Sequence, residues 1–297
     1  MQNELKILTY NIFIRPPLIT TNGTDYKDAR LRDFMSNYMQ DYDIICFQEL
    51  FSSFSSRRDW LVNEAFLQGF KHSYSIKKKF NVVSPIDGGV TIISKYPIVK
   101  RDYIIYPRGS HGDALAQKGA IFCRIQFNCR MVDVYNTHLQ AICKYQDIRK
   151  KQLCLFNDFF LKTHNHNNPA VICGDFNIDF HRSAQYNELF QFLQFECSKT
   201  VNTYLEANEF DLVSRSATYG CGFDKCLTCE DDQEIHELLD YIFLVTDERS
   251  DEQLLVYDAC KIECFLIENP WYPYKQLSDH YGVTATLRLV PPDHNFA

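Results

Sequence analysis

Long apolar runs are missing from this 297-residue chain. Stretches such as 44–47 and 90–93 fall far short of the roughly 20 residues that cross a bilayer as a helix, so no transmembrane helix is expected. The opening MQNELKILTY lacks the basic, apolar and small-residue succession of a secretory signal and runs straight into a strand-like segment. The expectation is a soluble chain, cytoplasmic or peripheral to a membrane, and secreted only if a leader has been removed. Positive charge is scarce as well: 31 Lys and Arg against 38 Asp and Glu give a net charge of −7. Neutralising several phosphates takes a concentrated basic surface, so an extended nucleic-acid partner is disfavoured. Linkers and internal repeats are absent, which points to one domain over residues 1–297 with loop insertions; a monomer is expected.

What is present is ordinary globular composition, 45% apolar, on a chain long enough to bury a substantial core. Twelve cysteines are many, yet Cys46, Cys123, Cys154 and Cys173 fall within apolar patterns, where a free thiol behaves as a small hydrophobe. A mostly reduced chain is expected, and the single Asn22-Gly23-Thr24 sequon is too common by chance to reverse that.

Short β-rich runs recur at 5–10, 43–47, 89–93, 120–127, 131–135, 170–173, 239–244 and 283–289, enough for at least one large sheet. Helical patterns lie between them. In the clearest, residues 145–161, Ile148, Leu155, Phe156, Phe159 and Phe160 make a stripe that belongs against a sheet. Residues 28–39 and 183–193 read as further helices, while 217–237 breaks pattern with two glycines and three cysteines.

Polar groups cluster where the strand patterns end: Asn11 after LKILTY, Glu49 after DIICFQ, and Asp175 with Asn177 after AVICG. Sites of α/β proteins sit at strand ends, and a hard cation such as Mg²⁺ takes the carboxylate and amide oxygens that Glu49 and Asn11 offer. His138 in VYNTHLQA and His280 in QLSDHYGV have similar placement, with Asp279 beside the latter and Asp240 in LLDYIFL. Histidine carries protons near neutral pH and donates to phosphoryl oxygens. Each group alone has a bland reading as turn, cap or core residue; together they mark a site.

LTYNIF, CFQEL, NTHLQ, CGDFNID, LDYIFL and LSDHYGV occur in the order seen in the endonuclease/exonuclease/phosphatase superfamily, which the chain resembles over residues 5–289. The resemblance implies the deoxyribonuclease I-like fold, an α/β two-sheet sandwich flanked by helices in four layers, and phosphoester cleavage. Within the superfamily GGVTIISKYPIV and HGDALAQKGAIFCRI resemble neutral sphingomyelinases, including an Asp and a Lys five apart, here Asp113 and Lys118. That implies a Mg²⁺-dependent phospholipase C type hydrolysis of sphingomyelin, in membranes or micelles, to ceramide and phosphocholine, with Mn²⁺ or Co²⁺ as further candidate ions. A nuclease or a soluble phosphatase of the same superfamily is the alternative. Carried over by motif, Glu49 holds the metal with Asn11, and Asp279 adjoins it; His280 takes a proton from water, oriented by Asp240 and aided by Asp175. Asn177 and His138 hold phosphoryl oxygens, and Asp113 with Lys118 serves the substrate.

Four features lie outside these motifs. Cys221, Cys226, Cys229 and His236 lack the paired spacing of a zinc knuckle, so disulfide or free thiols are expected there. Lys77-Lys78-Lys79 reads as a solvated turn that could touch anionic lipid. His164 and His166 read as loop residues before Pro169. Residues 269–274, NPWYPY, are expected to form an exposed aromatic loop beside the site, with Trp271 and Tyr272 entering a lipid interface; the segment resembles the aromatic hairpin of bacterial neutral sphingomyelinases.

Overall fold

The computed structural model describes residues 3–21, 24–79, 81–196, 198–220, 227, 235–247, 256–268 and 271–288. In chain order the strands are β1 Glu4–Ile14, β2 Ile44–Leu50, β3 His72–Ser75, β4 Thr91–Ser94, β5 Ile98–Ile105, β6 Gly119–Phe127, β7 Arg130–His138, β8 Ala170–Asp175, β9 Ser198–Asn202, β10 Tyr219–Gly220, β11 His236–Glu237, β12 Asp240–Asp247, β13 Val256–Glu263 and β14 Gly282–Arg288. The helices are α1 Lys27–Asn37, α2 Arg57–Leu67, α3 Gln146–Thr163, α4 Ser183–Phe192 and the short α5 Thr203–Ala207 and α6 Phe210–Val213.

Two six-stranded sheets result, ordered β13-β14-β1-β2-β4-β3 and β5-β6-β7-β8-β12-β9, with β10-β11 a separate ribbon. Only β1 with β2 and β7 with β8 run parallel among these pairs. The side-chain period of two decides what each face meets. Ile7, Cys46 and Ile92 join the core that both sheets share, whereas Leu8, Ile45 and Ile93 join a second core containing Leu31, Phe34 and Met35 of α1 and Leu61 and Ala65 of α2. On the other sheet the Tyr135 ring, with Phe122 beside it, packs edge-on or tilted against Phe156, Phe159 and Phe160 of α3. The layers are therefore helix, sheet, sheet, helix, and strands buried on both faces read as nearly continuous apolar runs.

Amide side chains join the sheets at one level. Gln48 Nε2 donates to Asn136 Oδ1 (2.6 Å) and Thr9 Oγ1 (3.0 Å), and Asn136 Nδ2 donates to the Phe47 carbonyl (2.9 Å). Every partner is buried, so one truncation would strand groups costing about 1–3 kcal/mol each.

Some expectations need correction. In α3 the buried apolar residues are Leu153, Phe156, Phe159 and Phe160; Leu155 and Cys154 are exposed and Ile148 is half-buried. The face is rotated because Arg149 and Gln152 share it, and an apolar count gives such polar residues no weight. Arg149 donates to the carbonyls of Gln140, Ile142 and Cys143, while Gln152 accepts from the Gln140 N–H. Strands β3, β5, β9 and β13, at sheet edges, and helix α2 add to the expected elements. Cys46, Cys123, Cys173 and Cys260 are buried free thiols. Cys221, Cys226 and Cys229, with Asn22 and Gly23, lie outside the described residues. Among the described residues no helix is long and apolar enough to cross a membrane.

Candidate active site

Asn11, Glu49, His138 and Asp175 stand at or near the C-terminal ends of the two parallel pairs, while Asp240 opens β12 and His280 precedes β14. Asp240 pairs in register with Asp175, which brings the carboxylates of β8 and β12 together. Sharp backbone turns aim the side chains. Glu49 and Asn177 lie in the left-handed region at φ 53 and φ 52, a conformation non-glycine residues rarely adopt. Gly89, itself at φ +65, makes room for the first: a Cβ there would meet Glu49 Cα at 3.0 Å. Gly174, before Asp175, packs so closely on β7 that a Cβ would lie 2.2 Å from the Thr137 carbonyl oxygen.

His280 Nδ1 lies 2.8 Å from Asp240 Oδ2, and its Nε2 is 3.9 Å from Asp175 Oδ2, a gap one water oxygen can bridge. Asp175 Oδ2 accepts from Asn11 Nδ2 (3.1 Å) and lies 3.3 Å from His138 Nε2; its Oδ1 accepts from the Asn177 N–H (2.9 Å). Asn177 Nδ2 donates to the Leu139 carbonyl (3.1 Å).

Charge is crowded here. Burial, then the Asp240 charge, pushes the Asp175 carboxyl up to about 7. Burial likewise pushes Asp279 up to about 7, with His280 opposing and Glu49 adding. Burial opposes a charge on His280, but Asp240, through charge and hydrogen bond, followed by Asp175 and Asp279, raises its pKa to about 10. His138 goes the other way, well below the ordinary histidine value, because burial, Lys118 and His280 all disfavour a second positive charge. It is neutral.

Lys118 is 5% exposed, and its ammonium meets Asp113 Oδ2 (2.8 Å), His138 Nε2 (2.9 Å) and the Leu139 carbonyl (2.8 Å), which uses its three donors. Asp113 Oδ2 also accepts from the Ala141 N–H (2.7 Å). With His138 Nε2 accepting from the ammonium, the ring proton belongs on Nδ1, an atom buried without a partner in the protein.

The donors fit a hard divalent cation. Glu49 Oε2 and Asp240 Oδ1 are buried without hydrogen-bond partners, a costly state for a carboxylate unless a cation meets it. Asp175, Asp240 and His280 offer ligand atoms within 4.8 Å of one another. Asp240 Oδ2 and His280 Nδ1 already spend themselves on each other, so the Glu49 side of the cluster, with Asn11 and Asp279, is the more open to an ion.

The aromatic loop divides. Trp271 is 85% exposed, Tyr272 is half-buried and stacks on Tyr274 at 5.3 Å, and Tyr274, expected at the surface, is buried with its hydroxyl donating to Asp33 Oδ2 (2.8 Å). Helix α1 supplies that acceptor, which pulls the second half of the loop inward. Asn269 and Pro270 lie outside the described residues.

Several supporting groups had no role in the sequence reading. Ser278 Oγ donates to the Asn11 carbonyl (2.6 Å) and accepts from the His280 N–H (3.2 Å). Thr218 Oγ1 accepts from the Asp240 N–H (3.1 Å), and the Tyr219 ring lies 4.9 Å from that of His280. Buried Arg30 donates to the carbonyls of Ile12, Phe13 and Leu277, tying the end of β1 to the turn before Asp279. An arginine within the apolar stripe of α1 was the available signal; for Thr218 and Tyr219 there was none.

A fold of two mixed sheets with this acidic, histidine-bearing edge defines a metal-assisted phosphoester hydrolase. The chain belongs to the endonuclease/exonuclease/phosphatase family, whose model matches residues 8–280. It is 24% identical to a sphingomyelinase C of Bacillus cereus, covering 97% of this chain and 90% of that one. Among solved structures it resembles a mutant beta toxin from Staphylococcus aureus with bound magnesium ions, at TM-score 0.66 and 21% identity over 95% of this chain and 99% of that one. It also resembles TDP2 of D. rerio complexed with single-strand DNA product, at TM-score 0.72 and 15% identity over 97% and 100%. These likenesses bear out the two-sheet, four-layer expectation.

Proposed function

We propose that the protein is a Mg²⁺-dependent sphingomyelin phosphodiesterase of phospholipase C type, a single catalytic domain acting as a monomer at the surface of membranes or micelles. The observation that carries this reading is the His280–Asp240 pair at the same sheet edge as Glu49, whose buried carboxylate oxygen has no partner in the protein. The sphingomyelinase relatives supply the substrate class.

Glu49, with Asn11 and Asp279, would hold the ion. When bound, a divalent ion supplies positive charge that polarises a phosphoryl oxygen, offsets the departing alkoxide and disfavours the imidazolium form of His280. The remaining work falls to the chain's own groups. A water placed between His280 Nε2 and Asp175 Oδ2 is aimed by the carboxylate and gives its proton to the ring. Its oxygen bonds to phosphorus as the bond to the ceramide oxygen breaks, and the proton taken by His280 balances the one the alkoxide needs. Asp240 holds the ring by Nδ1 and stabilises its charged form. His138, through its Nδ1–H, and the second amide hydrogen of Asn177 would donate to the redistributing phosphoryl charge, and Lys118 with Asp113 would keep His138 in that donor tautomer. Trp271 and half-buried Tyr272 support peripheral contact with lipid at the same edge.

The test is hydrolysis of sphingomyelin, phosphatidylcholine and plasmid DNA by the parent chain and Glu49→Gln, with and without Mg²⁺. Phosphocholine release from sphingomyelin that needs Mg²⁺ and falls at least about 10²-fold in Glu49→Gln is expected. Cleavage of DNA alone would overturn the substrate; full activity of Glu49→Gln at saturating Mg²⁺ would overturn the site.

A further inference from the structure

Of the fifteen large apolar side chains exposed among the described residues, nine stand in loops that leave the catalytic edge. They fall on two sides of it. Trp271 belongs to the connection from β13 to β14 at one end of the first sheet, close to where Tyr272 and Leu18 line one cavity of about 400 Å³. At the opposite end, beyond the catalytic tips of β1 and β2, stands a second group: Phe54 (75% exposed), Val82 (78%), Val83 (53%) and Leu115 (45%).

These four come from three connections that are bound into one surface. Ser84 Oγ donates to the Ala114 carbonyl (2.9 Å), and the Ile86 N–H donates to the Leu115 carbonyl (3.0 Å). Gln117 Nε2 donates to the carbonyls of Lys79 (2.7 Å) and Ser84 (2.8 Å). Lys78 Nζ sits 5.2 Å from the Phe54 ring centroid, which brings in the loop after β2. The surface then runs inward through Asp113 and Lys118 to His138.

Its charge opposes that of the chain. Lys77, Lys78, Lys79 and Arg108 are exposed on it. The two acids of the same connections are spent elsewhere: Asp113 on Lys118, and buried Asp87 on Arg58, Ser52 and Ser53. On a protein of net charge −7, four cations that make no ion pair among the described residues, set among apolar tips, form a patch of specific chemistry. Val82, Val83 and Leu115 offer nothing for base stacking or base-edge readout, and the single ring of Phe54 makes no run of stacking platforms, whereas the four together fit an acyl boundary with lysines at the level of anionic headgroups.

We propose that Phe54, Val82, Val83 and Leu115, with Lys77, Lys78 and Lys79, form an anionic-lipid docking surface that seats the catalytic edge on a bilayer opposite Trp271. The proposal rests on the lipid reading above. Binding is tested without turnover, by sedimentation of the full chain in chelator with phosphatidylcholine vesicles that contain or lack phosphatidylserine. The parent chain binds the phosphatidylserine vesicles more tightly, and the difference shrinks in high salt. Each lysine at an anionic surface contributes about fivefold, so K77Q/K78Q/K79Q loses on the order of 10²-fold on anionic vesicles and nothing on neutral ones. F54S/V82S loses binding to both. Wild-type-like binding of either variant, no phosphatidylserine preference in the parent, or displacement of vesicles by a single-stranded oligonucleotide overturns the proposal. Hydrolysis of sphingomyelin in detergent micelles, normal in both variants, separates the readings: its absence from the parent chain sinks the function and leaves the vesicle result standing.

Discussion

Replacing Asp240 by Asn tests the site most sharply, because turnover should fall while stability changes little. The Asp240 carboxylate, with no side-chain exposure, holds His280 Nδ1 at 2.8 Å. A charge-assisted hydrogen bond of this kind is worth about 1.5–3 kcal/mol, and its value rises as the ring takes the proton of the attacking water. Losing it lowers kcat roughly 10- to 150-fold with little change in KM, and further if the amide turns its NH₂ toward Nδ1 and forces the other tautomer. Stability feels two opposed changes. Asp240 is the largest charge raising Asp175 after burial, so neutralising it relieves repulsion between buried carboxylates, but it also takes away the charge that most favours the imidazolium of His280. The two offset, so the melting temperature should change little while turnover falls. Steady-state kinetics on sphingomyelin micelles and scanning calorimetry on the same preparation read both. Undiminished kcat refutes the orienting role, and a collapse in melting temperature shows Asp240 to be structural.

Three further perturbations probe the surrounding frame, and a fourth its pH dependence. Gly89→Ala adds a Cβ 3.0 Å from Glu49 Cα at φ +65, so we expect a stability loss on the order of 1–3 kcal/mol and weakened Mg²⁺ binding by calorimetry; unchanged affinity would remove Gly89 from the site. Lys118→Met should lower kcat/KM by roughly 10- to 150-fold and raise the His138 pKa, since Lys118 is, after burial, the largest cause of its depression; an unmoved His138 titration by NMR would break that link. Trp271→Ala should weaken vesicle binding and bilayer hydrolysis while sparing a water-soluble choline phosphodiester, and equal losses on both would point to a structural role. Asp133 is buried, which alone would raise its pKa, but bonds from Arg124, His164 and the Asn165 N–H hold it below the ordinary carboxylate value. Its contribution is present above that ordinary value and fades as pH falls through the lowered one. Asp133→Asn should thus cost about 3–5 kcal/mol near neutrality, and denaturant melts should show the gap narrowing in acid; a pH-independent gap would refute the ion-pair account.

How far the chain could be read in advance follows from where each signal resides. Strands β1, β2, β6, β8 and β12 are buried on both faces, so their apolar runs announced them, whereas β5, with an exposed middle, carries KRD where a core strand would carry valines. Asn11, Glu49, Asp175, Asp240 and His280 were legible because each ends or opens such a run. Their supports were not. Ser278 reaches the Asn11 carbonyl across 267 residues and Arg30 reaches Leu277 across 247, and local pattern carries no information at that separation. Motif resemblance gave Lys118, with Asp113, a place against the substrate; its use against His138 depends on the pairing of β6 with β7 and is not visible in the local pattern.

The two parallel pairs explain why the site forms at one edge of the sandwich. Each sheet contains one parallel pair, and in each the two C-terminal ends lie side by side: β1 and β2 bring Asn11 and Glu49, β7 and β8 bring His138 and Asp175. Antiparallel neighbours start where these strands stop, so β12 delivers Asp240 against Asp175 and β14 follows His280. The Gln48–Asn136 bond of 2.6 Å sets the spacing between sheets one residue behind Glu49 and two behind His138. Shifting any of the four strands by one residue would send its site group to the opposite face, so the register that buries the core also fixes the site. The same edge concentrates carboxylates that burial makes costly, and it is there that the protein leaves Glu49 Oε2 and Asp240 Oδ1 without protein donors. Stability forgone at those atoms is available to a divalent ion, and by linkage an ion that binds only the folded chain should raise the melting temperature, by an amount that grows with the logarithm of its concentration over its dissociation constant.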